Sequence, residues 1–195
     1  TYVYDDYGNI DTITQLGDVD SLGDERYQYY EYVYNENDWI VDKVKSESLY
    51  DSASRITETF YSYDELLYGD EPIKGDITEI EFWLDSGINP VIEMSYDEYG
   101  NMINKTDSNG YTTEFVYGVV DGTFTLLDEV IDATGESTTY TYDLGTGNIL
   151  TETDPNGYVT QFTYDEFGRI EKEIQPYDNE LYPTVEYEYS FTGSA

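Results

Sequence analysis

Apolar and polar residues alternate with a period of two wherever the chain is free of turn residues. In the stretch 137–142, Thr138, Tyr140 and Tyr142 share one face, while Thr139 and Thr141 share the other. That spacing is the signature of a β-strand. Tyr, Thr, Val, Ile and Phe dominate these stretches, as expected of side chains that fit a pleated, half-buried surface. No stretch sustains a 3.6-residue period, so the pattern predicts an all-β chain with no sustained helices.

The strands are punctuated at regular intervals, and the punctuation repeats. Asp107-Ser-Asn-Gly110 leads into Tyr-Thr-Thr-Glu-Phe-Val-Tyr117, and Asp154-Pro-Asn-Gly157 leads into Tyr-Val-Thr-Gln-Phe-Thr-Tyr164. A looser copy runs from Asp132 to Tyr142. The other half of the unit is Tyr96-Asp-Glu-Tyr-Gly-Asn-Met102, echoed at Tyr4–Ile10 and Tyr164–Ile170, and at Tyr142–Ile149 with one residue inserted. Both motifs read as turns: Asp accepts from backbone N–H groups, Asn and Gly tolerate positive φ, and Pro155 fits the second turn position. The Gly at 8, 100 and 168 marks the second turn. One unit is therefore two strands and two turns, with a period of 21 residues from Tyr96 to Tyr117 and 22 from Tyr142 to Tyr164. Tyr34–Ile40 and Tyr50–Ile56 keep the frame but lose the turn Gly, while Tyr63-Asp64 and Tyr117-Gly118 carry insertions.

This pattern resembles the YD repeats of the RHS family, strongly from Tyr96 to Ile170 and more weakly from Tyr27 to Asn89. The resemblance implies an elongated antiparallel array of hairpins forming a spiralling sheet or tube. It also implies a structural role, either as a hollow shell around the toxic domain of RHS and toxin-complex proteins or as the barrel of teneurin-type adhesion proteins. The expected organisation is one array over 1–195, with regular repeats over 96–175, degenerate ones over 1–95, and half-hairpins at both termini.

Those termini are complementary. Thr192-Gly-Ser-Ala195 followed by Thr1-Tyr-Val-Tyr-Asp5 matches Thr134–Asp143 with one residue fewer. Thr1, Tyr2 and Tyr4 at one end and Tyr189, Phe191 and Gly193 at the other are therefore the candidate assembly residues, since unpaired strand groups want a neighbouring strand. The expected partner is a second copy end to end, or the remainder of a longer RHS chain. The start at Thr1, without Met or a leader, suggests a processed chain or an excerpt.

Composition narrows the chemistry. The 43 acidic against 8 basic residues give a net charge of -35, which repels nucleic acid and anionic lipid and destabilises the compact state by self-repulsion. With 24 tyrosines beside 7 Phe and 2 Trp, any interior is built largely from Tyr, whose hydroxyls need partners. The longest apolar stretches fall far short of the roughly 20 residues that span a bilayer, so no membrane insertion is expected.

The chain has no His and no Cys, which removes the commonest general base and the thiol nucleophile, so it is read as no enzyme. Asp154-Pro-Asn-Gly157 matches the first half of the self-cleavage motif at the end of RHS shells, but the chain continues Tyr158-Val-Thr160 and reads as a turn. No cofactor is required. Calcium is the candidate cation, with Asp107 and Asn109, Asp154 and Asn156, and the run Asp18, Asp20, Asp24 as possible oxygen ligands, although none has EF-hand spacing. Tyr30, Tyr32 and Tyr34 are expected on one face, stacking across strands or on sugars. Asn104-Lys-Thr106 is a glycosylation acceptor pattern in a secreted chain. The leading expectation is an extracellular or cell-surface structural segment that builds a filament or wall by strand continuation. A toxin-shell fragment and an adhesion or glycan-binding module are the alternatives.

Overall fold

The computed structural model describes residues 1–18, 20, 23–51, 54–118 and 122–190. Phe191 and Gly193, two of the candidate assembly residues, lie outside them. The chain divides into two units, Thr1–Tyr111 and Thr112–Ala195. The first contains β1 (Tyr2–Tyr4), β2 (Ile10–Gln15), β3 (Arg26–Asn35), β4 (Ile40–Asp51), β5 (Ser54–Tyr63), β6 (Ile77–Phe82), β7 (Val91–Tyr96) and β8 (Met102–Thr106). The second contains β9 (Thr112–Tyr117), β10 (Leu127–Ile131), β11 (Ser137–Tyr142), β12 (Ile149–Thr153), β13 (Val159–Tyr164), β14 (Ile170–Ile174) and β15 (Val185–Glu186).

Within each unit every strand pairs antiparallel with its neighbours in sequence. The first strand of neither unit pairs with its last, so each sheet is open. Among the described residues there is no helix. The all-β hairpin fold predicted from the alternation is the fold observed.

Register separates the two kinds of hairpin. After the Tyr-Asp turns, Tyr4 pairs with Ile10 but Val3 pairs with Thr12, so Asp11 is skipped. The same skip follows Tyr96↔Met102, Tyr142↔Ile149 and Tyr164↔Ile170. After the Asp-x-x-Gly turns the ladder runs without a skip, as in Ile131↔Ser137 with Val130↔Thr138, and Thr153↔Val159 with Glu152↔Thr160. An extra residue on one strand bends it and re-aims the side chains beside it. Each regular unit of two strands therefore carries one bulge, on the return strand of the Tyr-Asp hairpin, whereas β3–β4 has two register shifts, at Glu31/Tyr32 and at Val33/Asn35. The skip also persists in the degenerate copy Tyr63↔Ile77, Ser62↔Glu79.

The apolar interior is small. Val33, Tyr63 and Ile174 are the buried apolar residues among those described, with Pro72 the most enclosed side chain. Tyr63 is the one tyrosine in that group, and the others are half-buried or exposed. The Tyr-rich interior expected from composition is thus mainly a set of Tyr-rich sheet faces. Most strand positions on both faces are half-buried, because neighbouring side chains of one sheet shield each other laterally.

Candidate functional site

The turns come first, because one geometry serves both motifs. In Asp5, Asp97, Asp107, Asp132, Asp154 and Asp165 the backbone N–H donates to the carbonyl four residues on, and the Gly three residues on donates back. One carboxylate oxygen then accepts from the N–H groups two and four residues ahead. The partners are Tyr99 and Asn101 for Asp97 (2.8 and 2.9 Å), and Asn109 and Tyr111 for Asp107 (2.9 and 3.0 Å). They are Asn156 and Tyr158 for Asp154 (2.9 and 2.8 Å). This is the three-residue hairpin loop ending in a left-handed residue. Gly100 has φ 87° and Gly110 φ 85°, and a Cβ at either would meet nothing within 4 Å. Backbone conformation, not space, requires glycine there.

Where the glycine has drifted away, the left-handed residue moves: in the copy that begins at Tyr34 the glycine position is Asp38, and the loop is one residue longer, closed at Asn35↔Ile40. Trp39, in the copy that begins at Tyr34, has φ 57°, and Asn35 replaces the aspartate with its Oδ1 3.1 Å from the Asp38 N–H. In the copy with the long insertion, Asp64 (φ 58°) accepts from the N–H groups of Ile73, Lys74, Gly75 and Asp76 at 2.6–3.1 Å. One carboxylate closes the whole loop.

The repeated tyrosine joins one unit to the one before it. The Tyr142 hydroxyl donates to the Leu127 carbonyl (2.8 Å), Tyr164 to Ile149 (2.8 Å), Tyr189 to Ile170 (2.8 Å), Tyr96 to Ile77 (2.9 Å) and Tyr63 to Val44 (2.7 Å). In four of these the acceptor is the residue that pairs with the preceding repeat tyrosine: Leu127 with Tyr117, Ile149 with Tyr142, Ile170 with Tyr164, and Ile77 with Tyr63. Val44 occupies the same position opposite Tyr32. The acceptor sits beside the bulge, and the phenol completes a strand edge there. Burial pushes the phenols of Tyr63, Tyr96, Tyr142 and Tyr164 above their ordinary value, in Tyr63 up to about 12. Sequence reading noted that buried tyrosines need partners, but the partner became visible only once the register was known.

Three basic side chains are held in one way, over an aromatic ring and against a carboxylate. Arg169 stacks on Tyr189 at 4.0 Å and pairs with Asp165, and Arg55 stacks on Trp83 at 4.2 Å and pairs with Glu58. Lys45 lies 5.4 Å from the Tyr68 ring centre and pairs with Glu31.

The predicted calcium residues are spread along the chain. Asp107 and Asp154 cap their own turns, the Asp24 carboxylate accepts from the Asp18 N–H, and Asp18 accepts from Asp20. Among the described residues no three acidic side chains converge as a metal site would require. Of the candidate assembly residues, Tyr2 and Tyr4 are each 58% exposed on β1, Thr1 exchanges hydrogen bonds with Thr14, and Tyr189 is engaged by Ile170 and Arg169. Tyr32 and Tyr34 stack at 6.3 Å, and Tyr34 meets Tyr7 across the sheet at 4.9 Å.

The turn carboxyls make stability depend on pH. At Asp107 the Tyr111 N–H, at Asp132 the Thr134 hydroxyl, and at Asp165 the Arg169 side chain hold the group below the ordinary aspartate value of 3.8. A carboxyl depressed in the fold contributes fully above its unfolded value and loses that contribution as pH falls through the folded one. Falling pH also discharges the -35 net charge and relieves repulsion. Thermal melts are therefore expected to rise from pH 7 toward pH ~4.5 and to fall below pH ~3.8, the opposed slopes marking these two effects. A melting temperature that climbs monotonically to pH 2 would remove the capped turns from this account.

Sheets grown hairpin by hairpin, with capped turns and tyrosine ties at a fixed period, define a β-hairpin repeat protein. Residues 144–179 match the RHS Repeat family model, over the stretch that holds the Asp154 and Asp165 turns. No curated protein matches it. Its fold is similar to segments in the crystal structures of TcdB2-TccC3-Cdc42 (TM-score 0.64, 10% identity, 87% of this chain) and TcdB2-TccC3-TEV (TM-score 0.64, 11% identity, 88% of this chain). The chain spans 13% of the length of each.

Proposed function

We propose that the chain is a non-catalytic wall segment of a longer RHS-type assembly. Its sheet continues by strand pairing into neighbouring repeats, and the completed wall encloses a cargo domain outside the cell. The observation that carries this reading is the outer edge of β1. Tyr2, Val3 and Tyr4 are all about half exposed, at 58%, 48% and 58%, and β1 pairs with β2 alone. Because Thr1 exchanges hydrogen bonds with Thr14, the Tyr2 N–H falls on the far side of the strand and is available to a further strand. An unpaired, aromatic edge of this kind is a template for strand addition. The similarity to segments of much longer chains supports the same reading.

End-to-end pairing of identical copies into a filament, with calcium or other cations screening the acidic surface, is a second reading, favoured by the same exposed β1 edge. Electron microscopy and light scattering of the purified chain, with calcium and after chelation, test both. Filaments that shorten on chelation support self-association. Tyr2→Pro removes the outward N–H and leaves the pairing with β2 in place, so it should abolish any association without lowering the melting temperature. Association unchanged in Tyr2→Pro would exclude the β1 edge.

A further inference from the structure

The β2–β5 face of the first unit carries a cavity of 620 Å³, within the range of ligand sites. Register shows how it arises. Thr12, Tyr29, Ser48 and Glu58 form one row across the four strands, Thr14, Tyr27, Tyr50 and Arg55 the next, and Glu31, Ser46 and Phe60 the third. Two serines on β4 thus each stand between one aromatic residue and one glutamate, and the missing side-chain volume is the cavity. Tyr29 and Tyr50 meet edge to face at 5.6 Å on its wall. Ser46 is 5% exposed, and its hydroxyl opens onto the cavity with no hydrogen-bond partner among the described residues.

The lining is acidic: Asp11, Glu31 and Glu58 contribute carboxylates, and no lysine or arginine lines it. Lys45 and Arg55 pair with Glu31 and Glu58 from outside, whereas Asp11 has no ion pair among the described residues. A low-dielectric cleft in a protein of this net charge concentrates cations.

We infer that this cavity docks an arginine side chain presented by an extended polypeptide, with the guanidinium lying on the Tyr29–Tyr50 wall and donating to Asp11 and the Ser46 hydroxyl. The chain itself holds Arg55 and Arg169 by the same pairing of ring and carboxylate. Arginine fits better than lysine because its flat fork stacks and donates at once. The inference is independent of the proposed wall role, and either can fail alone.

The test is an ¹⁵N-labelled chain titrated with a capped Gly/Ser peptide containing one arginine, and with the same peptide carrying lysine or citrulline. The expected result is saturable amide shifts confined to the segments around Tyr29, Ser46, Ser48 and Tyr50, at least fivefold weaker for lysine and absent for citrulline. Ser48→Tyr fills the cavity and should abolish these shifts. Asp11→Asn, an exposed change that keeps the fold, should weaken binding at least fivefold. Shifts spread over the acidic turns, equal for lysine and arginine, would mean diffuse charge attraction and overturn the proposal. So would an oligosaccharide that moves these amides when the arginine peptide does not.

Discussion

Truncating Tyr63 to alanine lowers the free energy of unfolding by about 3–5 kcal/mol, the range for removing a large buried aromatic. Tyr63 is 5% exposed, the most enclosed of the tyrosines described, and its hydroxyl ties β5 to the Val44 carbonyl on β4. Tyr63→Phe keeps the ring and removes the tie, so its cost is about 1–2 kcal/mol, that of leaving a carbonyl without its donor. Denaturant melts of the two variants separate packing from hydrogen bonding. Equal losses would show that the hydroxyl dominates. The same residue shapes the alkaline limit. Burial, with the Asp42 charge, raises its pKa from 10.0 to about 12. A phenol whose pKa is raised in the fold contributes fully below its unfolded value and loses that contribution as pH rises through the folded one. Stability should therefore fall between pH 10 and 12, and less steeply in Tyr63→Phe.

Asp64→Ala is expected to cost about 3 kcal/mol and to open the loop over residues 65–76. Charge-assisted hydrogen bonds are worth more than neutral ones, and here four N–H groups lose a shared acceptor at once. Asp64 and Glu65 also sit at φ 58° and 61°, a strained pair that the clamp stabilises. Burial works to raise the Asp64 carboxyl, but the N–H groups of Gly75, Lys74, Ile73 and Asp76 outweigh it and hold the group below the ordinary carboxylate range. Asp64→Asn should lose less, because an amide oxygen still accepts and asparagine tolerates positive φ. Amide exchange and limited proteolysis in the loop are the readouts, and unchanged protection at Lys74–Asp76 in Asp64→Ala would sink the clamp.

Strands, turns and the repeat were legible because each is written locally. The alternation through 137–142, the Asp-x-x-Gly turns at Asp107 and Asp154, and the Tyr-Asp motif at Tyr96 and Tyr164 all appear in the structure as strand or turn at the positions expected. The copy that begins at Tyr34 has lost its glycine, and there the left-handed residue is Trp39, one position later, with the loop closed at Asn35↔Ile40. The two motifs looked like different turns because their flanking residues differ. They proved to be one hairpin loop, distinguished by the bulge that follows it.

What the sequence could not show depends on register. A one-residue skip at Asp11 or at the strand starting with Ile149 leaves no mark in composition, yet it decides where the Tyr164 hydroxyl points and which carbonyl it meets. Likewise, nothing in the sequence marks Ser46 and Ser48 until pairing sets Ser48 beside Tyr29 and Glu58, and Ser46 beside Glu31 and Phe60. Alternation and turn chemistry act over a few bonds, and the amino-acid sequence alone determined the all-β hairpin array and its period. The tyrosine ties, the Asp64 clamp and the acidic cavity join residues 9 to 47 positions apart, and only the tertiary structure decided them, because strand pairing converts sequence distance into contact.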